Sequence, residues 1–305
     1  MAGDRSVAGR GILITGAAGF LGSHLTRALT AAGAEVHPFT RRIGDVTNPE
    51  SLRAAIASAR PEVVFHLVAY GTTTAQRDVA MMREVNVGGV ENLWTALERF
   101  HCRIVQAGTC AEYATKDGPI SESDPCLPES DYAKTLHDAV AYSQARAQRT
   151  GRELVVIRPF GPYGPRDRPE RLIPSVIDGL LGGARVAVTA GQQRRDFSYV
   201  SDHVAAFVAA ATAPLTRTGV AYNVGSGIPI SVREVVEKIA GLIGDRAGDR
   251  IDYGAVASRP DDRADRYADI SAAQRDLAFA PVVSLDEGLR LTIAAARAAR
   301  QEAVR

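Results

Sequence analysis

The sequence predicts an α/β protein, a doubly wound parallel sheet followed by a smaller C-terminal α/β portion. Three observations carry that expectation. The first is the stretch Arg10-Gly-Ile-Leu-Ile-Thr-Gly-Ala-Ala-Gly-Phe-Leu-Gly-Ser-His24, in which an apolar strand, a glycine-rich turn and the start of a helical pattern follow in order. The second is the repeated alternation of short apolar strands with helical patterns through the first half. The third is a change of texture after Pro159, where proline, glycine and arginine crowd together.

The elements can be taken in turn. A strand over 12–14 runs into Gly16, Gly19 and Gly22, and a helical pattern begins at Phe20 and Leu21. Backbone N–H groups in such a turn can approach a pyrophosphate, and the helix dipole favours the anion. The helix over 21–32 ends at Gly33, where a C-cap glycine belongs. Strands follow over 35–39, 63–68, 103–107 and 154–158, with helices over 49–59, 79–100 and 132–150 between them. Strand, turn, helix and second strand in this order make dinucleotide binding the expected use of the glycines. Beyond Pro159 come a loop over 161–171, a helix over 173–181, strands over 186–188 and 222–224 around a helix over 202–211, and a polar loop over 257–266. The expected division is a dinucleotide-binding domain over 1–160 and a substrate domain over 161–305, with the chain returning to the first near 198–226.

At 305 residues, 46% apolar and 23% charged, the chain has the make-up of an ordinary soluble protein. A formal charge of +1 gives no electrostatic case for nucleic acid or an anionic membrane. The first residues carry no apolar signal core, and no apolar run is long enough to span a bilayer. Cys102, Cys110 and Cys126 have neither metal nor disulfide spacing. A reducing, cytoplasmic home and no metal are the expectations.

The chain resembles the extended short-chain dehydrogenase/reductase family, which includes nucleotide-sugar epimerases, dehydratases and 4-ketoreductases. Gly16-x-x-Gly19-x-x-Gly22 has that family's spacing. Gly44-Asp45-Val46 is similar to the segment contacting adenine, and Phe65-His-Leu-Val-Ala69 to the strand under the nicotinamide. Asn86-Val-Gly-Gly-Val-Glu-Asn92 is similar to the central helix with a structural asparagine, and Gly108-Thr-Cys-Ala-Glu-Tyr113 to the catalytic serine/threonine segment. Arg158-Pro-Phe-Gly-Pro-Tyr-Gly-Pro165 and Arg195-Asp-Phe-Ser-Tyr-Val-Ser-Asp202 resemble the substrate-side signatures. The resemblance implies a Rossmann sheet with catalytic Thr109 and Tyr132. It implies cofactor contacts from Gly16, Gly19, Phe20, Leu21, Gly22, Asp45, Val46, Leu67, Val68, Ala69, Asn86, Tyr132 and Pro159. It places Tyr70, Thr109, Arg195 and Arg259 against a nucleotide-sugar substrate, the two arginines on its diphosphate. It also implies a homodimer paired through the helices over 79–100 and 132–150, where Ala139, Ala141, Ala145 and Ala147 would permit close approach.

One departure stands out. The family's tyrosine is followed four positions later by lysine, and in Asp131-Tyr-Ala-Lys-Thr-Leu-His137 that position is Leu136. Positions i and i+4 share a helix face, whereas Lys134 is turned about 200° away. With an ordinary pKa near 10, about one tyrosine in a thousand is phenolate at pH 7. Taking a proton from an alcohol requires that phenolate, whereas reducing a ketone requires the neutral phenol. His137 adjoins Leu136 as a candidate titrating neighbour.

NAD-preferring proteins of this kind place an acid at the end of the second strand to bind the ribose 2′-OH. Here Phe39-Thr-Arg-Arg42 puts Thr40 there, followed by Arg41 and Arg42, a set that suits a 2′-phosphate. NADP(H) is therefore the expected cofactor, with NAD(H) the alternative. Cys110 and Ala111 stand where the family's dehydratases carry an acidic pair. Arg166 and Arg168 could add to the substrate site, and Tyr163 either packs against the sugar nucleotide or is structural. The expected activity is NADP(H)-dependent reduction of a nucleotide-linked 4-keto-deoxysugar. The alternatives are an epimerase with tightly bound NAD and a catalytically silent sugar-nucleotide-binding homologue.

Overall fold

The structure, a computed structural model, describes residues 6–73, 75–244, 246–257 and 265–304. The chain begins with β1 (Gly11–Thr15), α1 (Phe20–Ala31), β2 (Glu35–Phe39), α2 (Pro49–Ala59) and β3 (Val63–His66). The long helical region that follows is α3 (Val79–Arg83), one π-helical turn over Glu84–Gly88, and α4 (Gly89–Ala96). Then come β4 (Arg103–Ala107), α5 (Asp131–Thr150) and β5 (Leu154–Pro159). These strands are all parallel, and the sheet order is β10-β5-β4-β3-β1-β2, so the chain reverses direction across the sheet between β1 and β3. The sixth strand, β10, covers Val220–Val224. This is a Rossmann-type doubly wound sheet, and its ligand crevice lies at the carboxyl ends of the strands beside that reversal.

The strands read as continuous apolar runs because both faces are covered. Ile12, Ile14, Val63, Phe65, Val105, Val155 and Ile157 face one core, which α1 fills with Leu25 and Leu29. Their neighbours Leu13, Val64, Ile104, Leu154 and Val156 face the other, with Leu52 and Ile56 of α2, Leu93 and Trp94 of α4, and Ala139 and Ala147 of α5. The period of two along each strand sorts the residues between the layers. Local chemistry sets the helix ends: Asn48 caps α2 ahead of Pro49, and Ser130 accepts the Ala133 N–H at the start of α5.

Between β5 and β10 the chain forms β6 (Pro162–Tyr163), α6 (Leu172–Leu181), β7 (Val186–Val188), β8 (Arg194–Asp196), β9 (Ser198–Tyr199) and α7 (Val200–Thr212). After β10 come β11 (Pro229–Ser231), α8 (Val232–Ile243), β12 (Ile251–Tyr253), α9 (Ser271–Leu277) and α10 (Leu285–Val304). Helices α6, α8 and α10 share a separate core with β7, built on Ile173, Ile177, Val235, Ile239 and Leu289. In contrast, α7 and α9 pack on the main sheet through Phe207, Ala210 and Leu277. No helix among the described residues is long and apolar enough to cross a membrane.

Two sequence expectations change and two are narrowed. The helix expected over 79–100 is interrupted by the π turn and stops at Ala96, where Arg152 takes the Leu97 carbonyl at 2.7 Å. The strand expected to reach residue 68 ends at His66, its partner Thr15 being the last residue of β1, which frees 67–70 to line the crevice. Tyr163 is a core residue, 2% exposed, with its hydroxyl donating to the Leu285 carbonyl at 3.1 Å, so it offers no face to a ligand. Of the four alanines on α5, Ala139 and Ala147 belong to the core, and only Ala141 and Ala145 face outward.

Candidate active site

The cradle at the end of β1 is made of backbone. Gly16 sits at φ +75°, and a Cβ there would lie 2.9 Å from the Leu67 carbonyl; a Cβ on Gly22 would overlap the Gly16 carbonyl oxygen. Turn and helix touch so closely that side chains are excluded, so a ligand can reach the peptide groups themselves. Helix α1 starts at Phe20 with Gly19 as N-cap, no side-chain cap and no acid in its first turn. Its first N–H groups are left for an anion, and the fit is to a pyrophosphate. The floor is Thr15, whose hydroxyl pairs with His66 Nδ1 at 2.8 Å. Burial holds the His66 imidazole down to about 4, so it stays neutral at working pH.

At the end of β2, the Thr40 carbonyl accepts from Ile43 and Gly44 N–H at 2.8 and 2.9 Å, closing a tight turn. That turn exposes Arg41 and Arg42, and neither guanidinium has a hydrogen bond or ion pair among the described residues. Asp45 turns its carboxylate onto Thr47, accepting from its N–H and hydroxyl, both at 3.0 Å. Val46 is buried. Leu67, Val68, Ala69 and Tyr70 are all partly exposed along the crevice, as is Pro159 at the end of β5.

Asn86 lies in the π turn and is 1% exposed. It accepts the Tyr70 N–H at 2.8 Å and donates to the Tyr70 carbonyl at 3.0 Å and to Thr135 Oγ1 at 2.9 Å. The expectation that Asn86 meets the cofactor is therefore corrected: its amide is buried and its donors are taken. Instead it ties the crevice wall to α5, where the Thr135 hydroxyl donates to the Tyr132 carbonyl at 3.0 Å. A π turn is a common way to aim such a side chain.

Thr109 caps a short 3₁₀ turn over Cys110–Glu112. Its Oγ1 accepts the Ala111 N–H at 3.3 Å. Each hydroxyl has one proton to give, so accepting this bond leaves the Thr109 O–H free to donate. Tyr132 opens α5, and burial pushes its phenol up to about 12, against the opposing pull of the Thr109 side chain, Arg171 and Arg168. No ammonium stands on that helix face. Leu136 is buried at 4% exposure, and Lys134 points outward with Nζ 3.9 Å from Asp131.

The cations that act on the phenol come from the loop before α6. His24 of α1 fastens that loop: its Nε2 donates to the Pro165 carbonyl at 2.7 Å, while Nδ1 faces Arg27 Nη2 at 3.0 Å. Arg171 is held by Asp167 at 3.6 Å. Burial pushes the neighbouring Cys110 thiol up, opposed by Arg266, Arg171 and Arg195, which places three guanidiniums around one side of the crevice. Arg195 and Arg266 are partners in a parallel bridge, so their side chains share a face. Arg266 was not anticipated; its only sequence signal is its place in the polar loop. Arg259 lies outside the described residues. Asp196 anchors this side, accepting from Ser226 N–H and Oγ at 2.7 Å, Gly227 N–H at 2.9 Å and Ala268 N–H at 3.2 Å.

Beneath Thr109 lies Glu112, fully buried, which takes the Thr109 N–H at 2.8 Å on Oε1 and Arg158 at 2.9 and 3.2 Å on Oε2. Burial raises its carboxyl, but the nearby His137 and the paired Arg158 outweigh that and leave it below the usual range. Ligand-type atoms of Glu112, Cys126 and His137 lie within 4.8 Å of one another. Arg158 forks onto Oε2 of that carboxylate, so the cluster contains a buried ion pair beneath Thr109.

The comparisons agree with this geometry. The model of the NAD dependent epimerase/dehydratase family matches residues 12–225. A dTDP-glucose 4,6-dehydratase of Streptomyces griseus is 31% identical over 312 residues, covering 93% of each chain. The uncharacterized UDP-glucose epimerase YtcB of Bacillus subtilis is 30% identical, over 93% of this chain and 96% of its own. Among solved structures, the Thermotoga maritima UDP-glucose 4-epimerase with UDP-glucose superposes with a TM-score of 0.86 at 25% identity, over 95% of this chain and 99% of that one. MoeE5 in complex with UDP-glucuronic acid and NAD gives 0.83 at 29%, over 94% and 99%. A strand-end glycine cradle on a parallel doubly wound sheet and these matches lead to one assignment: the chain belongs to the NAD-dependent epimerase/dehydratase family, enzymes of the extended short-chain dehydrogenase type.

Proposed function

We propose that this chain is an NADP(H)-dependent reductase of a nucleotide-linked 4-keto-deoxysugar, with Tyr132 as the proton donor. The observation that carries the reading is Leu136, buried on the helix face of Tyr132 where a cation would favour the phenolate. Burial pushes the phenol up, so the neutral form prevails at pH 7. The residue is set as an acid. When bound, the nicotinamide supplies the hydride. Thr109 donates a hydrogen bond to the ketone oxygen, and Tyr132 gives its proton to the alkoxide that develops there. Arg171 and Arg168 steady the phenolate left behind, and solvent returns its proton. Arg195, with Arg259 as the expected second ligand, would hold the diphosphate.

NADP(H) is favoured over NAD(H) because Thr40 leaves no carboxylate to repel a 2′-phosphate and Arg41 and Arg42, without an ion pair among the described residues, stand beside it. The similarity to a dehydratase does not carry over to its reaction. Ala111 has no titratable group, Cys110 is pushed up by burial, and Glu112 is bound to Arg158. The epimerase reading has the fold similarity to UDP-glucose 4-epimerase in its favour, but that chemistry begins with proton removal, for which this phenol is poorly set. We place a homodimer contact on α3 and α5, where Val79 is 48% exposed and Met81 37%. A monomeric mass by light scattering at micromolar concentration would contradict that placement.

The test is to titrate the protein with NADPH and NADH by nicotinamide fluorescence and then add nucleotide-linked 4-ketosugars. Tighter NADPH binding followed by oxidation on adding one sugar is the expected result. Cofactor that copurifies and is unchanged over turnover would favour the epimerase. Binding with no turnover of any sugar would leave a silent homologue.

A further inference from the structure

The buried ionic floor bonds Thr109 of the proposed catalytic pair and meets the helix that carries the other member, Tyr132. Glu112 Oε1 accepts the backbone N–H of Thr109 at 2.8 Å. Its Oε2 accepts Arg158 Nε and Nη2 at 3.2 and 2.9 Å, and His137 Nδ1 stands 3.6 Å from the same oxygen. That Nδ1 is buried and has no hydrogen-bond partner, so the carboxylate at 3.6 Å is the acceptor it faces, in close contact short of a hydrogen bond. His137 belongs to α5, the helix that Tyr132 opens. Arg158 in turn is fixed by the sheet: it leaves β5 and donates from Nη1 to the Tyr113 hydroxyl at 2.8 Å, which donates to Asn223 of β10 at 2.8 Å. One carboxylate thus joins the Thr109 backbone to the Tyr132 helix, and the sheet holds that carboxylate still.

We propose that Glu112 is a positioning residue for the reaction, and that through the Thr109 N–H on one oxygen and His137 on the other it sets the spacing between the Thr109 hydroxyl and the Tyr132 phenol. The reacting oxygen must meet both groups at hydrogen-bond distance, and an error of about 1 Å in such a constellation costs about 100-fold in rate. Glu112 is fully buried and does not reach the crevice to act on substrate itself, and His137 turns its Nδ1 to that carboxylate at 3.6 Å. The kinetic part of this inference rests on the reductase reading; the coupling between His137 and Thr109 does not.

The test uses two substitutions at His137, which leave the Glu112–Arg158 pair intact where Glu112→Gln risks stranding a buried guanidinium. His137→Ala is expected to lower kcat about tenfold, a fraction of the loss from a full 1 Å displacement, with KM for the nicotinamide cofactor unchanged. His137→Gln, whose amide can still donate to Oε2, restores most of the rate. In the protein without substrate, Thr109 amide exchange becomes about threefold faster or more in His137→Ala, while β1 amides stay as they were. An unchanged kcat in an active enzyme, a parallel loss of kcat and cofactor affinity, or an unchanged Thr109 exchange rate would overturn the proposal. If no ketosugar is turned over even by the parent protein, the reductase reading fails, and the exchange measurement alone decides the coupling.

Discussion

The two sides of the crevice are built on different principles. The cofactor side is held by backbone: Gly16 and Gly22 let peptide groups approach within a distance that any side chain would forbid. The catalytic side is held by side chains in layers, with Asn86 and Thr135 behind Tyr132 and Glu112, Arg158 and His137 beneath Thr109. A steric cradle tolerates no added atom but needs no particular charge. A side-chain floor tolerates reshaping but fails when one partner is left alone. Damage on the cofactor side should therefore appear in binding, and damage on the catalytic side in turnover.

Tyr132→Phe should give the largest effect, lowering kcat by about 10²–10⁴-fold, the range for loss of a general acid, while NADPH binding by fluorescence stays within about twofold. Comparable losses in both would erase the distinction between the two sides. Gly22→Ala is the converse. Overpacking costs about 1–3 kcal/mol, or about 10- to 100-fold in cofactor Kd, with any residual turnover at saturating cofactor near normal. Unchanged affinity would mean that the turn opens freely and that the steric account is wrong. Smaller still is the joint change of Arg41 and Arg42 to alanine. Exposed charge pairs contribute about 0–1 kcal/mol each, so NADPH should weaken by up to about 30-fold overall and NADH hardly at all. Equal weakening of both nucleotides would remove the case for a 2′-phosphate site.

How legible each side was in the sequence follows from the same contrast. Strands β2 and β4 fall where apolar runs place them, and the glycine turn is evident because its cause is local: three positions in one stretch must lack a Cβ. Tyr132 comes from the family resemblance, and the outward turn of Lys134 follows from helix periodicity. The floor does not. Glu112 meets Arg158 across 46 residues of sequence and Asn86 meets Thr135 across 49, pairings that only the packed sheet brings together. Asn86 misled for a related reason: the π turn rotates it inward, and no periodic pattern announces that turn. Arg266 was hidden because its importance comes from a single backbone bridge to Arg195.

In the proposed reaction Tyr132 works as a neutral acid, its phenol pushed up to about 12 by burial. A donor acts while protonated, so activity persists below its folded pKa and falls only as pH rises through it. The direct measurement is the rate of NADPH oxidation with a saturating 4-ketosugar from pH 6 to about 11, for the parent protein and for Leu136→Lys, against the ordinary tyrosine value of about 10. The account predicts no descending limb near 10 in the parent. It predicts that an ammonium on the Tyr132 face, which favours the phenolate, brings that limb to lower pH in the variant. A parent rate that instead rises with pH, as an essential base near neutrality would make it, would contradict the account.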